Sequence, residues 1–396
     1  MRDDTVPRFS LAERDRRWAR VRALMARDDL DAIFAPPNTG MFDTFQANVR
    51  YLTGIGGNHA MAAAVFPREG EVTAIGSPDI DPSIWLARQD WVTDVRGISS
   101  AWGYSGEAIA RLRELGRIRR LGVTGLSRNT RFPEGTTSHG IVERLRQELP
   151  GVEIVNANPL MEEARFVRSE EEIGFLRTGI ALVEKAIGVL AAEARPGVPE
   201  RVAYARMLAS MVEGGGELPS MILWSVGNPQ PPSNYYMPTG RPFAKGDIIL
   251  TEAEARWGGY CAQNTQPLSL GRPDSEYLAM FERQQEAIAL CYDMLRPGRT
   301  IGEIADVVNG MADDRYECLI LIHARGLGDD APMAVFAARD AMMANWVLEA
   351  NSTFIVKPLI RKRGTTKRVY WGDTVVCTDG GARRLGSRPP QVIEIG

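Results

Sequence analysis

The segment from Gly246 to Thr265 restricts the possible folds of this chain most, because it has the pattern of two β-strands around a Gly-Gly turn. The first strand pattern is an apolar run, Ile248-Ile249-Leu250, that leads into the acid Glu252. The second alternates around Tyr260, directly after Gly258-Gly259. The sequence therefore predicts a β-hairpin with a carboxylate set in an apolar strand, as half of an ion pair or as a catalytic acid or base.

Residues 1–160 alternate between helix and strand patterns. Apolar side chains recur at helical spacing over residues 11 to 30, and Ala32-Ile33-Phe34-Ala35 follows as a short strand. Further helices are predicted over residues 105–115 and 138–149. Alternating elements indicate a sheet covered by helices, so we expect this half of the chain to form an α/β domain.

Residues 161–396 are expected to form a second domain, which begins with a capped helix. Ser169 is a favourable N-cap, and Glu172 completes a capping box three residues later. That helix is predicted to run to about Glu193. Further helices are predicted over Glu200–Glu213, Ser275–Leu295 and Ile301–Met311.

Several of these segments resemble one enzyme family, peptidase M24, which includes creatinase, aminopeptidase P, prolidase and methionine aminopeptidase. The hairpin resembles its metal-ligand hairpin, and Tyr51-Leu52-Thr53-Gly54 is similar to a motif of the N-terminal domain of creatinases and prolidases. The residues around Ser169 resemble the start of its catalytic domain. The resemblance implies an α/β N-terminal domain followed by an α+β pita-bread domain, a curved antiparallel sheet covered by helix pairs.

The resemblance also points to a metal site that has been altered. The family binds two divalent metals with Asp, Asp, His, Glu and Glu, and four of these five ligands are carboxylates. A lysine cation beside two dications is repulsive, at a cost on the order of several kcal/mol. We therefore expect no metal cofactor, with Lys357 in the place of a metal and paired with Glu252. The matching positions in this chain are Glu252, Gln263, His323, Lys357 and Gly372.

Three residues are predicted to be catalytic. Creatinase works without metal, so the loss of ligands is compatible with catalysis. His323 suits proton transfer near neutral pH, and the alternative is a satisfied core histidine. Glu252 is either a catalytic acid or base or the ion-pair partner of Lys357. Lys357 either compensates charge or donates a hydrogen bond to an oxyanion.

Four further residues are predicted to bind substrate: Tyr235, Gln263, Asp330 and His59. Tyr235 and Asp330 match positions at which the peptidases carry auxiliary histidines, and Asp330 could equally belong to a solvated loop. The resemblance implies a homodimer in which the N-terminal domain contributes to the partner's site. His59, at the end of a glycine-rich loop, is the candidate for that role, and the alternative is a loop histidine without one.

The segment from Arg361 to Arg368 contains five basic residues and is predicted to be a hairpin turn. It is either a solvated surface or a surface that attracts an anionic substrate. The formal net charge of the whole chain, -3, gives no electrostatic argument for binding nucleic acid or membrane. The four cysteines lack zinc-site spacing, so we expect buried thiols. The charged N-terminus lacks an apolar signal core, so we expect a cytoplasmic protein.

The function that follows is metal-independent, creatinase-like hydrolysis of a C–N bond in a small polar molecule. The first alternative is an Xaa-Pro-type aminopeptidase or dipeptidase, which overall resemblance suggests. The second is a lyase or decarboxylase on the same scaffold. The third is a non-catalytic binding module, against which the retained Glu252 and His323 argue.

Overall fold

The chain divides into two compact units in the computed structural model. The first is Met1–Phe166 with Leu327–Asp330, and the second is Val167–Gly326 with Ala331–Gly396. Among the described residues, no helix is both long enough and apolar enough to cross a bilayer. The structure describes residues 7–37, 46–57, 61–76, 82–98, 103–127, 130–232, 235–328, 330–338 and 340–396.

The described part of the first unit contains one mixed sheet of six strands, in the order β4-β3-β2-β1-β5-β6. Buried side chains such as Phe34, Val65 and Val123 form its core with residues of the covering helices. The strands are β1 (Ala32–Ala35), β2 (Ala62–Pro67), β3 (Thr73–Gly76), β4 (Asp94–Gly97), β5 (Arg120–Val123) and β6 (Glu153–Asn156). The helices are α1 (Leu11–Arg27), α2 (Ala47–Thr53), α3 (Pro82–Arg88), α4 (Tyr104–Glu114), α5 (His139–Glu148) and α6 (Asn158–Phe166).

Helix α1 is shorter than the predicted segment of residues 11 to 30. It ends at Arg27 because Asp29 takes a left-handed backbone conformation, with φ of 54°. The Tyr51-Leu52-Thr53-Gly54 motif is the last turn of α2, and Gly54 terminates it with φ of 70°.

The second unit begins with two helices at their predicted positions, α7 (Glu170–Glu193) and α8 (Glu200–Glu213). The predicted capping box of α7 is confirmed. The Glu172 backbone N–H donates to Ser169 Oγ over 3.1 Å, and the Ser169 N–H donates to Glu172 Oε2 over 2.9 Å. The other helices are α9 (Ser275–Met294), α10 (Ile301–Asn309) and α11 (Ala341–Ala344).

The strands of the second unit form three sheets in the described residues, in the orders β19-β9-β8-β7, β13-β12-β11-β14-β17-β18 and β10-β15-β16. The predicted hairpin is β8 and β9, and Gly258 and Gly259 make the turn with φ of 56° and 86°. The strands are β7 (Leu223–Gly227), β8 (Ile248–Trp257), β9 (Tyr260–Leu270), β10 (Tyr316–Leu319), β11 (Leu321–Ala324), β12 (Met333–Val335), β13 (Ala337–Ala338), β14 (Thr353–Val356), β15 (Leu359–Lys362), β16 (Arg368–Val369), β17 (Asp373–Thr378), β18 (Gly381–Arg384) and β19 (Ile393–Ile395).

Helix α7 packs closely on the hairpin. A Cβ atom at Gly179 would lie 3.1 Å from the Cβ of Ala262 on β9, so the glycine lets the helix approach the strand. The opposite face of the hairpin carries Glu252 and Gln263. All four cysteines are buried and free, as predicted.

Candidate active site

Two sheets of the second unit meet where the predicted site residues lie. Thr265 on β9 and Gly372, just before β17, exchange two backbone hydrogen bonds of 3.0 Å. One residue pair away, Thr374 Oγ1 accepts from the Gln263 N–H and donates to the Gln263 carbonyl, both over 2.9 Å. The hairpin and the C-terminal strands are therefore joined directly.

The centre of the site is an ion pair between Glu252 and Lys357. Lys357 Nζ donates to Glu252 Oε2, and Gln263 Nε2 donates to the same oxygen over 2.7 Å. The three residues are between 2% and 4% exposed, so the pair is shielded from water. The other carboxylate oxygen, Glu252 Oε1, makes no hydrogen bond within the part of the chain that the structure describes.

Gly372 has no room for a side chain. A Cβ atom there would lie 2.8 Å from the Cα of Lys357 and would overlap the Lys357 Cβ. The glutamate that the family resemblance places at this position therefore cannot be accommodated unless the backbone moves.

These residues do not fit a two-metal centre. The only carboxylate among the five matching positions is Glu252, and two N–H donors already occupy its Oε2 atom. The Lys357 ammonium is repulsive toward a dication. In the described residues, no three His, Cys, Asp or Glu side chains are grouped so that they could hold a metal ion.

Two tyrosines extend the site. The hydroxyl groups of Tyr235 and Tyr370 are hydrogen-bonded to each other. Burial raises the pKa of each phenol above its ordinary value, and the nearby charge of Glu252 raises both further. Both groups are therefore neutral O–H donors at neutral pH.

Tyr370 is a site residue that the sequence analysis missed. It stands two residues before Gly372, and residues two apart on an extended strand share a face. That spacing is the signal that could have identified it. The resemblance did not supply it, because Tyr370 matches none of the five ligand positions.

His323 lies on β11, and is 4% exposed. It pairs with Ile355 on β14, which in turn pairs with Thr374 on β17. Residues opposite one another on neighbouring strands share a face of the sheet, so His323 lies on the face that carries Thr374 and Lys357. The structure thus brings His323 to the side of the sheet that meets the hairpin.

A second buried carboxylate, Glu254, lies beside the site on the same face of β8 as Glu252. It accepts hydrogen bonds from the Ser220 Oγ–H over 2.6 Å and from Arg325 Nη2. Burial acts to raise the pKa of Glu254, but Arg325 and Arg256 with the Ser220 hydrogen bonds bring the pKa below its ordinary value. Glu254 is therefore ionised and anchors the Arg325 side chain.

Asp330 groups with the first unit, and a solvated loop is the wrong description of it, since it is 3% exposed. Arg165 Nε and Nη2 donate to its two carboxylate oxygens over 3.0 and 2.8 Å. The buried Glu162 is close enough for burial and the charge of Asp330 to raise its pKa to about 7. The role of Asp330 in substrate binding stays a prediction. His59 lies outside the described residues.

The chain matches known families over most of its length. The sequence model of metallopeptidase family M24 matches residues 175–379, and that of the creatinase/prolidase N-terminal domain matches residues 17–167. An Xaa-Pro dipeptidase of Pyrococcus furiosus is 22% identical over 254 residues, 64% of this chain and 72% of that protein. An ectoine hydrolase of Halomonas elongata is 24% identical over 181 residues, 43% of this chain and 45% of that protein.

Solved structures show the same architecture. The crystal structure of an X-Pro aminopeptidase from Thermotoga maritima MSB8 superposes with a TM-score of 0.76 at 17% identity, covering 96% of this chain and 99% of the other. At this identity the likeness shows the fold. The expected architecture, an α/β N-terminal domain and an α+β pita-bread domain, is confirmed.

Proposed function

This chain belongs to metallopeptidase family M24, and from that membership we propose that it is a hydrolase that cleaves a C–N bond in a small polar molecule without a metal ion. The similar proteins named a dipeptidase and an ectoine hydrolase support hydrolysis. One observation supports the proposal that the reaction needs no metal ion. The Lys357 ammonium contacts the Glu252 carboxylate, the one carboxylate at the five positions where the family resemblance implies metal ligands.

The proposed reaction adds water across the bond that breaks. His323 takes a proton from the water as its oxygen attacks the carbon, and returns that proton to the departing nitrogen. The negative charge that develops on the substrate oxygen is stabilised by the Lys357 ammonium. Glu252 compensates the charge of Lys357 in the buried site and holds it in place.

Neutral hydrogen-bond donors are proposed to orient the substrate in the site. The phenols of Tyr235 and Tyr370 stay protonated, and the Gln263 amide is fixed against Glu252. Such groups orient a polar substrate by hydrogen bonds and do not require it to carry a charge.

The test combines metal analysis with a chelator. Purified protein is analysed for bound metals and screened against small amides and guanidino acids, with and without EDTA. Turnover unaffected by EDTA supports the proposal. Loss of turnover in EDTA that manganese restores would contradict it.

Cleavage of Xaa-Pro dipeptides is a second candidate, favoured by the similarity to the Pyrococcus furiosus protein. Proline release from an Xaa-Pro dipeptide distinguishes it from turnover of the other small amides. The same assay in EDTA and in added manganese then shows whether that cleavage needs a metal.

A further inference from the structure

Two segments of the candidate site lie where the regular pairing of their strands is interrupted. The pairing of β14 with β17 and that of β15 with β16 are separated by residues 357–359 on one segment and residues 370–372 on the other. Neither register extends into this interval. The interval contains three residues of the candidate site, which are Lys357, Tyr370 and Gly372.

The side chain of Gln284 connects the two segments across this interval. Gln284 lies in the middle of α9 and is 0% exposed. Its Nε2 atom donates to the carbonyl oxygen of Pro358 over 3.0 Å and to that of Trp371 over 2.8 Å. Pro358 directly follows Lys357, and Trp371 directly precedes Gly372. One amide group therefore ties the backbone beside Lys357 to the backbone beside Gly372.

The orientation of the Gln284 amide follows from its partners. Carbonyl oxygens only accept hydrogen bonds, so the Nε2 group with its two N–H donors must face Pro358 and Trp371. The Oε1 atom accepts from Gln285 Nε2 over 2.6 Å. Both ends of the amide are satisfied, which offsets the cost of burying a polar group.

Packing alone would favour an apolar residue at position 284. The other buried residues of α9 include Met280, Ala287, Ile288 and Cys291, so glutamine interrupts an apolar face. A glutamine also loses more rotamer freedom on burial than an aliphatic side chain does. Pro358 has no backbone N–H with which to pair across the interval. The amide therefore supplies the hydrogen bonding that the strand pairing lacks at this point.

The placement of Lys357 depends on the separation of the two segments. The Cα of Lys357 lies 2.8 Å from the Cβ position of residue 372, and its ammonium contacts Glu252. A change in the separation would move the ammonium relative to Glu252. A cation that stabilises charge in a transition state acts best when it is held in place before the reaction.

We propose that Gln284 is a positioning residue, which fixes the separation of the segments that carry Lys357 and Gly372 and thereby holds the Lys357 ammonium against Glu252. The inference rests on the proposed function for the part that Lys357 plays in the reaction. Its first test observes Lys357 itself and requires no turnover.

The Lys357 ammonium can be observed by NMR after selective ¹⁵N labelling of lysine. In the wild type, burial and the bond to Glu252 should make its protons exchange with water more slowly than those of Lys362, whose side chain is 40% exposed. Lys357→Met identifies the signal by removing it. The spectrum is simple because the chain has five lysines, which are Lys185, Lys245, Lys357, Lys362 and Lys367.

Gln284→Met removes both donors and keeps the length of the side chain. From the loss of two neutral hydrogen bonds, exchange of the Lys357 ammonium protons should accelerate by about tenfold or more. On the substrate found by the amide screen, kcat should fall by about tenfold while KM changes less, because the cation acts on charge that develops in the transition state.

Gln89→Met is the matched control, because Gln89 is a buried glutamine of the first unit with both ends of its amide satisfied. It is 7% exposed, its Nε2 donates to the Val92 carbonyl over 2.9 Å, and its Oε1 accepts from the Trp91 and Val92 N–H groups. This variant should lower stability without changing Lys357 exchange or kcat.

Gln284→Asn is a milder variant that shortens the side chain by one methylene, so that the amide no longer reaches both carbonyls. It should give an intermediate acceleration of Lys357 exchange. It decides the question where Gln284→Met fails to fold.

Two results would overturn the inference: unchanged Lys357 exchange in the Gln284 variants, or an equal acceleration in Gln89→Met. Accelerated exchange in a protein that hydrolyses none of the amides would contradict the proposed function and leave the positioning role intact. Turnover in EDTA with unchanged Lys357 exchange in the Gln284 variants would support the proposed function and remove Gln284 from it.

Discussion

Lys357 occupies the space in which a side chain at position 372 would begin. The Cα of Lys357 lies 2.8 Å from the Cβ position of residue 372, and only glycine permits this approach. The ammonium of the same lysine contacts Glu252. The close packing of Lys357 against residue 372 therefore excludes a carboxylate side chain at position 372. The same lysine places its ammonium group against the carboxylate of Glu252.

The first prediction concerns the Glu252–Lys357 pair. Lys357→Met leaves the Glu252 carboxylate buried without its counter-ion, and the free energy of unfolding should fall by about 3–5 kcal/mol. Lys362→Met is the control, because its side chain is 40% exposed and its pair with Glu276 should be worth under about 1 kcal/mol. Urea denaturation measures both, and equal losses would show that the Glu252 pair is not buried as described.

The second prediction concerns Gly372. Gly372→Ala places a Cβ against Lys357 and should cost about 1–3 kcal/mol by overpacking. Gly174→Ala on α7 is the control, since no described atom apart from its chain neighbours and its own helix backbone lies within 4 Å of its Cβ position. It should be neutral or slightly stabilising. Thermal unfolding compares the two variants. A neutral Gly372→Ala would mean that the strand adapts easily to a side chain.

The third prediction concerns Tyr370. Tyr370→Phe removes the hydroxyl that bonds Tyr235, and should reduce kcat/KM by about tenfold or more through the lost hydrogen bond. Tyr292→Phe on α9 is the control, because that hydroxyl has no described partner, and it should leave turnover unchanged. Steady-state kinetics on the substrate found by the amide screen measure both. Equal kcat/KM values for Tyr370→Phe and the wild type would remove this tyrosine from the site.

The fourth prediction concerns pH. Burial and the charge of Asp330 raise the pKa of Glu162 to about 7, above its value of 4.5 outside the fold. The folded state therefore holds a proton that the unfolded state has released, and stability falls as the pH rises from about 4.5 to 7. The expected loss is on the order of 2–3 kcal/mol. Burial also raises the pKa of Asp373 to about 6, so Asp373 contributes to the same fall. Glu162→Gln should therefore reduce the loss of stability, whereas the exposed Glu163→Gln should not.

Urea unfolding at several pH values measures that profile. Identical profiles for Glu162→Gln and the wild type would show that Glu162 is ionised in the folded protein.

The helices and the hairpin could be predicted because their signals are local. The capping box of α7 lies within four residues, and the bounds Glu170–Glu193 and Glu200–Glu213 follow the apolar spacing of their own segments. The end of α1 was predicted three residues late, because the apolar pattern continues past Arg27 while the left-handed conformation of Asp29 ends the helix.

The sequence could predict only those site residues that match the metal-ligand positions of the family. The resemblance identified Glu252, Gln263 and Lys357, which the structure places in contact. It gave no reason to select Tyr370, because that residue lies outside the matched positions. Its assignment of Asp330 as a substrate contact stays a prediction, and the structure adds that the Asp330 carboxylate accepts two hydrogen bonds from Arg165 in the first unit.

The amino-acid sequence by itself determined the element order, the helix caps, the hairpin and the loss of most carboxylates from the family's ligand positions. These features depend on neighbouring residues and on residue identity alone. Tertiary structure decided which groups are paired: Lys357 contacts Glu252, which is 105 residues away in the chain. Arg368 donates to the Pro232 carbonyl oxygen, whereas its neighbour Lys367 pairs with two acids. Electrostatic pairing requires contact distances, and only the strand register between segments distant in the chain sets those distances.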